Sequence, residues 1–511
     1  MATAVPVWSV DPRTGEQRER VAEEATAADV DAAVRAAHDA LPALADRGAR
    51  AAFLRAAAER LEADGERIVA TADAESALGE PRLTGELART TAQLRAFAAE
   101  VEDGAFLDVV IDHAAPDRTP PQPDLRRCKL PLGVVAVYAA SNFPLAFSVP
   151  GGDTASALAA GCPVVVKAHP GHPATSALAA AALRSAAAAT GLDENVLTVV
   201  HGFDAGVELV RHPLVAAAGF TGSVRGGRAL FDAAAARPRP IPFHGELGSL
   251  NPVVVTRAAA AERAAAIGEG LAGSVTLGTG QFCVKPGLVL VPEGGDGDRM
   301  LDALAAALRE AAPGHLLDDR MRQAFLDGVG ARAALARVAA PVEAGPGDDP
   351  AGRTVRPGVL TLAAGDLDED HALLLEECFG PVTVAVRYGD DADIDAVLAR
   401  VEGSLTATVH LGAAEAQRDS GPATALLSRL TALAGRVVVD GWPTGVAVAP
   451  AQHHGGPYPA TTSTSTSVGA TAVERWLRPV AYQDTPDALL PAELREDNPL
   501  GLPRRVDGVR E

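Results

Sequence analysis

The chain has 511 residues, of which 48% are hydrophobic and 22% charged, and its formal net charge at pH 7 is −21. This length exceeds what a single hydrophobic core usually organises, so we expect two or three compact units. The acidic balance argues against nucleic acid as a partner, because phosphate binding needs a basic face. No apolar stretch reaches the length of a membrane span, since the longest, residues 133–150, is interrupted by serine, asparagine and proline.

The cysteines and the amino terminus indicate the cellular compartment in which the protein is expected. Residues 1–10 lack the basic segment followed by an apolar one that marks a secretory signal. The four cysteines lie far apart, with no Cys-x-x-Cys pair and no histidine at zinc-binding spacing: Cys128, Cys162, Cys283 and Cys378. This usage favours reduced thiols. We therefore expect a cytoplasmic protein without a disulfide, a bound metal or a membrane segment.

The first part of the chain predicts a helical scaffold. Thr26 and Asp29 have the pattern of a capping box, and apolar residues then recur on one helical face. Alanine-rich amphipathic helices are predicted near 50–64 and 83–100. Four prolines between residues 114 and 123 predict an extended connection.

From Leu132 onward, short valine-rich runs alternate with helical patterns, which is typical of parallel strands joined by crossovers. The first series predicts strands at 133–138, 163–167, 196–200 and 216–220, with helices at 150–160, 173–189, 204–211 and 226–236. This order indicates a doubly wound nucleotide-binding domain. A second α/β domain is predicted from strands at 252–255, 288–291, 382–386, 405–410 and 436–440. Beyond the Thr/Ser run at 461–467, the patterned residues 473–482 predict a packed extension.

Cys283 lies in the segment Leu-Gly-Thr-Gly-Gln-Phe-Cys-Val-Lys-Pro-Gly, residues 277–287. A helix at 262–275 is predicted before it and the strand at 288–291 after it, so the thiol is expected in a loop that a substrate can reach. A lone cysteine is more often a small buried hydrophobe. The loop by itself therefore does not establish a nucleophile.

Two features predict a site for an anionic cofactor. The turn Phe-Thr-Gly-Ser-Val-Arg-Gly-Gly, which contains Gly222, Ser223 and Gly227, follows a strand and opens a helix, so its backbone N–H groups would face a phosphate. Lys167 ends a strand, where α/β proteins bind ligands. Position 170 is proline rather than an acid, which permits the 2′-phosphate of NADP.

Further polar residues lie beside turns. Glu246 stands between two glycines in an otherwise apolar segment, where desolvation is expected to raise its pKa towards the range of a general base. Asn142 follows a strand and could form its own turn or donate its amide to an oxyanion. Glu377 is a second acid at a turn, followed by Phe379, and Cys378 between them is expected to be packed. Each of these residues taken alone has an ordinary structural explanation.

The order of these motifs is more specific than any one of them. Along the chain follow Ser-Asn-Phe-Pro, Val-Val-Lys, Phe-Thr-Gly-Ser, Gly-Glu-Leu-Gly-Ser-Leu-Asn-Pro, Gly-Gln-Phe-Cys and Glu-Glu-Cys-Phe-Gly-Pro. In this order the chain resembles the aldehyde dehydrogenase superfamily from Asp11 to Pro479. The resemblance implies an α/β fold in three parts: a Rossmann-type cofactor domain (1–112 and 129–246), an α/β catalytic domain (247–450) and a small oligomerisation extension (113–128 and 451–511). It also implies a homodimer or a homotetramer.

The same resemblance implies a mechanism. Cys283 attacks the aldehyde carbon, and the Asn142 amide and the Cys283 backbone N–H hold the oxyanion. Hydride transfer to NAD or NADP, with NADP favoured, leaves a thioester, which is hydrolysed by water that Glu246 activates. The cofactor contacts implied by the match are Lys167, Gly222, Ser223, Gly227, Glu377 and Phe379.

The closer motif variants, including the late segments 443–446 and 454–461, resemble one branch of the superfamily. That branch contains alpha-ketoglutaric semialdehyde dehydrogenases and a bacterial fatty aldehyde dehydrogenase that prefers NADP, so alpha-ketoglutaric semialdehyde is the expected substrate. Val284 and Lys285 depart from the threonine and asparagine usual there, and we expect Lys285 to point to solvent. The sequence identifies no arginine as the binder of a substrate carboxylate.

Three alternatives stay open. One is a dehydrogenase for long-chain or aromatic aldehydes. Another is a cofactor-independent thiol esterase, against which Lys167 and the phosphate-binding turn count. The third is a non-catalytic protein that kept the fold, against which the joint presence of Cys283, Glu246 and Asn142 counts.

Overall fold

The computed structural model describes residues 5–511. The capping box predicted at Thr26 is confirmed, because its side chain accepts from the Asp29 N–H while the Asp29 carboxylate accepts from the Thr26 N–H. No helix in this range is both long and apolar enough to cross a membrane. The α-helices are α1 (Ala27–Asp39), α2 (Arg47–Ala63), α3 (Gly65–Ser76), α4 (Glu80–Asp103), α5 (Gly152–Ala160), α6 (Pro173–Ala189), α7 (Phe203–Arg211), α8 (Val224–Ala235), α9 (Arg257–Thr276), α10 (Gly295–Glu310), α11 (Asp319–Ala333), α12 (Asp391–Leu398) and α13 (Pro422–Leu433).

The strands form five sheets. They are β1 (Pro6–Val10), β2 (Gln17–Glu23), β3 (Val109–Asp112), β4 (Leu125–Pro131), β5 (Val134–Tyr138), β6 (Val164–Lys167), β7 (Leu197–Val200), β8 (Val215–Thr221), β9 (Phe243–Glu246), β10 (Pro252–Val255), β11 (Leu288–Pro292), β12 (Gly314–His315), β13 (Ala339–Val342), β14 (Gly345–Pro346), β15 (Thr354–Arg356), β16 (Gly358–Ala363), β17 (Val382–Tyr388), β18 (Ser404–His410), β19 (Ala434–Val439), β20 (Leu477–Gln483), β21 (Arg504–Val506) and β22 (Val509–Arg510). Two of the sheets are small, one pairing β1 with β2 and the other in the order β12-β15-β14.

The first large sheet is parallel and has the order β7-β6-β5-β8-β9. Its valine-rich strands β5 and β6 are buried on both faces, as expected for a sheet covered by helices. The strand order reverses at β5, so the carboxyl ends of β5 and β8 border a crevice. The four predicted strands are confirmed to within one residue at each end, whereas β9 was not predicted.

The second large sheet has the order β13-β16-β17-β11-β10-β18-β19, with only β13 antiparallel to its neighbour. Alternate residues of its strands face opposite cores. Val253 and Val255 pack towards α9 and α10, while Val254 belongs to the core on the other face. All five strands predicted for this domain are confirmed.

The third large sheet has the order β20-β4-β3-β21-β22. β20 pairs antiparallel with the whole of β4, which confirms that the end of the chain is a packed extension. On the other side of β3, β21 runs parallel to it, and the two-residue strand β22 pairs with β21 and forms the opposite edge of the sheet. The boundaries between the three parts of the chain stay a prediction, although β3 and β4 both lie in this sheet.

These sheets bring two sets of chain segments together. The carboxyl ends of β5, β8 and β9 in the first sheet face the segments that enter β11 and β17 of the second sheet. The loops at this junction carry most of the residues singled out from the sequence.

Candidate active site

A cavity of about 340 Å³ lies at this junction. Seven of the nine predicted site residues line it, three from beyond β5 and β8, one from the end of β9, and three from the segments before β11 and β17: Asn142, Gly222, Ser223, Glu246, Cys283, Glu377 and Phe379. The two that do not line it are Lys167 and Gly227. The parallel topology therefore assembles one site from residues that are far apart in sequence.

The cysteine loop is held by buried polar side chains. Gly278 and Gly280 have positive φ angles, and a Cβ at Gly280 would overlap the backbone of the following turn at Gly380. The Gln281 amide donates to Gly278 O and to His315 O, both at 3.1 Å. Asn251 Nδ2 donates to Cys283 O at 2.8 Å. The backbone around the thiol is thus fixed from several sides.

Glu246, Cys283 and His454 converge beside the cavity. Their carboxylate, thiol and imidazole atoms lie within 4.8 Å of one another. His454 Nε2 is 3.0 Å from Glu246 Oε1 and 3.6 Å from Cys283 Sγ, and the Ser467 hydroxyl donates to Glu246 Oε2 at 2.7 Å. Glu246 and His454 are almost fully buried, whereas Cys283 is half-buried. Water therefore screens the charges of this cluster little.

The pKa of Glu246 differs from the expectation drawn from the sequence. Burial acts to raise it, but the charge and hydrogen bond of His454 and the Ser467 hydroxyl outweigh burial and lower the pKa to about 2. The expectation of a raised pKa was wrong because it considered desolvation without these partners. Burial raises the pKa of the Cys283 thiol well above its usual value, and the Glu246 carboxylate adds to the increase. The resting pair is therefore a carboxylate beside a protonated thiol.

The position of the hydrogen on the His454 ring follows from its surroundings. Nδ1 is buried and has no hydrogen-bond partner within residues 5–511, whereas Nε2 faces Glu246 and Cys283. A carboxylate can only accept, so we assign a hydrogen to Nε2, which makes the ring a donor to Glu246. The three side chains also offer the S, N and O atoms that Zn²⁺ prefers, but Nε2 would have to lose this hydrogen first.

Asn142 lies close to the cysteine loop. It is 7% exposed, and its Nδ2 donates to Gln281 O at 2.9 Å. A guanidinium N–H of Arg82 donates to Asn142 O at 2.7 Å, which fixes the backbone of the turn. Because an amide nitrogen carries two hydrogens, one stays available for an oxygen atom in the cavity.

The residues predicted to bind a cofactor have different local roles. Ser223 caps α8, its hydroxyl accepting from the Gly226 N–H at 3.2 Å, and Gly222 N–H donates to Glu246 O at 3.0 Å. A Cβ at Gly227 would overlap Leu247 and the Phe220 ring, so Gly227 permits close packing of α8 rather than lining the cavity. Burial raises the pKa of Glu377 to about 7. The N-terminus of α8 therefore remains open to an anion.

Lys167 lies at the carboxyl end of β6, outside the cavity lining, where further cations approach it. Burial lowers its pKa to about 8, and the charges of Glu24 and Arg320 also act on it. His169 and His201 are close enough for the Lys167 charge to lower their pKa values, although burial is the larger cause. Burial therefore favours the neutral forms of both histidines, and Lys167 and Arg320 carry the positive charge here.

Lys285 does not point to solvent, so that expectation was wrong. Its side chain is 2% exposed, and its Nζ donates to Cys378 O at 3.0 Å and to Val382 O at 2.7 Å. These bonds direct the ammonium group to the start of β17 rather than to the thiol. Cys378 is buried, as predicted. Burial lowers the pKa of Lys285, and the two carbonyls replace part of the lost hydration.

The sequence reasoning missed the residues that surround the predicted ones. His454 and Ser467 belong to the end of the chain and reach Glu246 because residues 461–467 pack along β9, where Thr462 Oγ1 donates to Phe243 O at 2.8 Å. The available signal was the motif His-Gly-Gly-Pro-Tyr-Pro-Ala-Thr that begins at His454, which served only to identify a branch. Asn251 was missed in the same way, within the motif of Glu246.

Comparisons with known proteins identify the family of this chain. Residues 3–418 match the aldehyde dehydrogenase family. The chain is 47% identical over 508 residues to alpha-ketoglutaric semialdehyde dehydrogenase 2 of Azospirillum brasilense, covering 98% of this chain and 95% of that protein. It is 40% identical over 496 residues to alpha-ketoglutaric semialdehyde dehydrogenase of Acinetobacter baylyi, covering 95% and 92%.

A solved structure supports the fold. Gamma-glutamyl-gamma-aminobutyraldehyde dehydrogenase of Burkholderia cenocepacia J2315 superposes with a TM-score of 0.77 at 23% identity, covering 94% of this chain and 93% of that one. The α/β architecture is thus shared at low sequence identity. With the family match and the two relatives, this chain is a member of the aldehyde dehydrogenase family, an oxidoreductase that acts on aldehydes with NAD or NADP.

Proposed function

We propose that this enzyme oxidises alpha-ketoglutaric semialdehyde, a short aldehyde with a carboxylate at its other end, to 2-oxoglutarate. The observation that carries the proposal is the convergence of Cys283, Glu246 and Asn142 on one cavity. The choice of substrate rests on two relatives named for this activity, at 47% and 40% identity over nearly the whole chain.

Cys283 is the proposed nucleophile. Its sulfur bonds to the aldehyde carbon while the thiol hydrogen passes to Glu246, whose oxygen lies within 4.8 Å. Because the pKa of the thiol is raised and that of the carboxylate lowered, proton transfer ahead of attack is unfavourable, so the two changes accompany each other. The aldehyde oxygen gains negative charge, which the free amide hydrogen of Asn142 stabilises.

Glu246 is the proposed base for hydrolysis of the thioester. NAD(P) supplies the acceptor for the hydride, and the chain then has to activate water. His454 and Ser467 each donate to one oxygen of the Glu246 carboxylate. They keep it ionised but weakly basic, so one of these hydrogen bonds has to lengthen as the carboxylate takes a proton.

The residues present fit a dinucleotide, and we favour NADP over NAD. The α8 N-terminus offers backbone N–H groups to a phosphate. Lys167 and Arg320 bring positive charge to the carboxyl end of β6. Position 170 is proline, so no carboxylate there repels a 2′-phosphate.

A homodimer is the proposed assembly. The extension sheet has one open edge, β20, seven residues long, whose residues are mostly exposed. A long exposed edge strand is a template for pairing with another chain. The opposite edge ends in the two-residue strand β22, which offers little backbone for pairing. One usable edge per chain favours a closed pair related by twofold symmetry.

An aldehyde panel assayed with NAD and with NADP tests the proposal. The panel contains alpha-ketoglutaric semialdehyde, a neutral aldehyde of the same chain length, a long-chain aldehyde and an aromatic aldehyde, and the readout is absorbance of the reduced cofactor. The proposal predicts the highest kcat/KM for the semialdehyde with NADP. A higher kcat/KM for the long-chain or aromatic aldehyde would contradict it, and a strict requirement for NAD would contradict the cofactor assignment.

One observation favours a second activity. Cys283 Sγ lies within 4.8 Å of the Glu246 carboxylate, and a nucleophile next to a base is what a thiol hydrolase needs. Hydrolysis of an activated ester without nucleotide tests for it. Ester turnover by a preparation that oxidises no aldehyde of the panel would make this the main function.

A further inference from the structure

One face of α4 supports the residues around the nucleophile. Arg82, Glu86 and Arg89 lie four and seven residues apart along the helix and so share a face. Arg82 bonds Asn142 O, and Glu86 Oε1 accepts from Leu145 N–H at 2.8 Å and from the next N–H at 2.9 Å. Two of the three side chains therefore bond the turn that carries Asn142, each through part of its polar atoms.

Arg89 differs from its neighbours on this face. Its guanidinium lies 5.3 Å from the Phe147 ring centroid, and it forms no hydrogen bond or ion pair with any residue from 5 to 511. The side chain is half-buried. A partly buried guanidinium normally uses its five N–H donors, so Arg89 has donors to offer to a ligand.

Arg89 is also near the reacting groups. The Phe147 ring that it stacks on lies 6.2 Å from the His454 ring, and His454 contacts Cys283. Burial and Glu246 raise the pKa of Cys283, and the charge of Arg89 acts against them. The charges of Arg89 and of the reacting groups therefore act on each other, although Arg89 is not among the side chains that line the cavity.

Charge compensation of Glu86 leaves the donors of this arginine unused. The charges of Glu86 and Arg89 act on each other. The two side chains nevertheless form no ion pair within 4.0 Å, and the Glu86 oxygen with partners is bonded to backbone N–H groups. The guanidinium N–H groups of Arg89 therefore stay available to a ligand.

We propose that Arg89 binds the distal carboxylate of the aldehyde substrate, holding the aldehyde carbon at Cys283. The proposal rests on the proposed function and specifies its substrate class: short aldehydes whose far end carries a carboxylate. A guanidinium pairs with a carboxylate through two parallel hydrogen bonds, which fixes the position of the substrate as well as its charge. The Phe147 ring beneath supports the plane of the guanidinium.

The experiment measures kcat and KM of wild type, Arg89→Met and Arg89→Lys for alpha-ketoglutaric semialdehyde and for a neutral aldehyde of the same length. The ratio of kcat/KM for the two aldehydes should fall about 30- to 1,000-fold in Arg89→Met, mainly through KM, because a desolvated charge loses its partner. Arg89→Lys should restore part of the ratio, since it keeps the charge but not the two-pronged geometry. Arg95→Met is the matched control, because Arg95 lies on the same helix and is paired with Glu62 at the surface.

Each outcome decides the assignment. An equal loss for both aldehydes in Arg89→Met, or an unchanged ratio, would overturn it, and so would the same change in Arg95→Met. Calorimetric binding of glutarate gives a readout independent of turnover and should weaken in Arg89→Met; if that variant fails to fold, Arg89→Lys is measured in its place. A wild type that prefers the neutral aldehyde would instead refute the proposed substrate.

Discussion

Removing the imidazole of His454 should bring the acid limb of the pH–rate profile into the range that can be assayed. His454 Nε2 donates to Glu246 Oε1 at 3.0 Å, and Ser467 holds the other oxygen at 2.7 Å. With both partners the pKa of Glu246 is lowered to about 2. Phenylalanine at position 454 keeps a ring of similar size against Phe147 but removes the donor.

The magnitude follows from the lost hydrogen bond. A hydrogen bond to a charged group contributes about 1.5–3 kcal/mol, and one pKa unit corresponds to about 1.4 kcal/mol, so the pKa of Glu246 should rise by about 1–2 units. Burial also raises this pKa, and without His454 it is opposed by the hydrogen bonds of Ser467 and Cys283. The base works when ionised, so activity is lost as the pH falls through this pKa. In His454→Phe that loss should begin near pH 5, whereas in wild type it lies below about pH 3.

The assay is kcat against pH in wild type, His454→Phe and His454→Gln. Glutamine is the matched control because its amide nitrogen reaches the position of Nε2 and can still donate to Glu246, so its acid limb should stay low. A His454→Phe profile that superposes on that of wild type would refute the reasoning. An acid limb in His454→Gln equal to that in His454→Phe would mean that the hydrogen bond from position 454 does not set the pKa of Glu246.

Three further substitutions test other parts of the site. Glu246→Gln should slow both steps in which Glu246 accepts a proton, so stopped-flow measurements should show a delayed release of one reduced cofactor per subunit and then turnover about 10²- to 10⁴-fold slower; an unchanged steady state would assign the base elsewhere. Burial lowers the pKa of Lys167 to about 8, so its charge is lost as the pH rises through 8, and cofactor affinity measured by calorimetry should weaken over that range. Lys167→Met should bind the cofactor more weakly and without this pH dependence. A flat wild-type profile would contradict a contact between Lys167 and the cofactor. Gly227→Ala should lower the free energy of unfolding by about 1–3 kcal/mol in denaturant titrations, because the added methyl overlaps Leu247, and full stability would contradict that packing.

Local sequence patterns predicted the strands and the residues that end them. β5 to β8 are valine-rich or alanine-rich buried runs bounded by helices, so their spans were predictable to within one residue. Asn142 and Glu246 come together because parallel strands present their carboxyl ends at one edge. The strand β9 was missed because Phe-His-Gly-Glu has neither alternation nor β-branched residues.

Long-range contacts could not be read from such patterns. His454 and Ser467 lie more than 200 positions from Glu246, and nothing in the local sequence of Glu246 announces their two hydrogen bonds. The direction of the Glu246 pKa shift could therefore not be predicted, because burial raises this pKa and hydrogen bonding lowers it. Lys285 was misplaced for a similar reason, since the two carbonyls that receive its ammonium group lie near the start of β17.

The way the extension sheet is assembled affects how this protein is made in a cell. β3 and β4 leave the ribosome roughly 350 residues before β20, so at about 5–20 residues per second they wait tens of seconds for the strands that flank them. An isolated two-stranded ribbon is barely stable, and its open sides accept strands from other nascent chains. Rapid overproduction should therefore divert part of the protein into inclusion bodies, and slow synthesis at reduced temperature should restore the yield of folded protein.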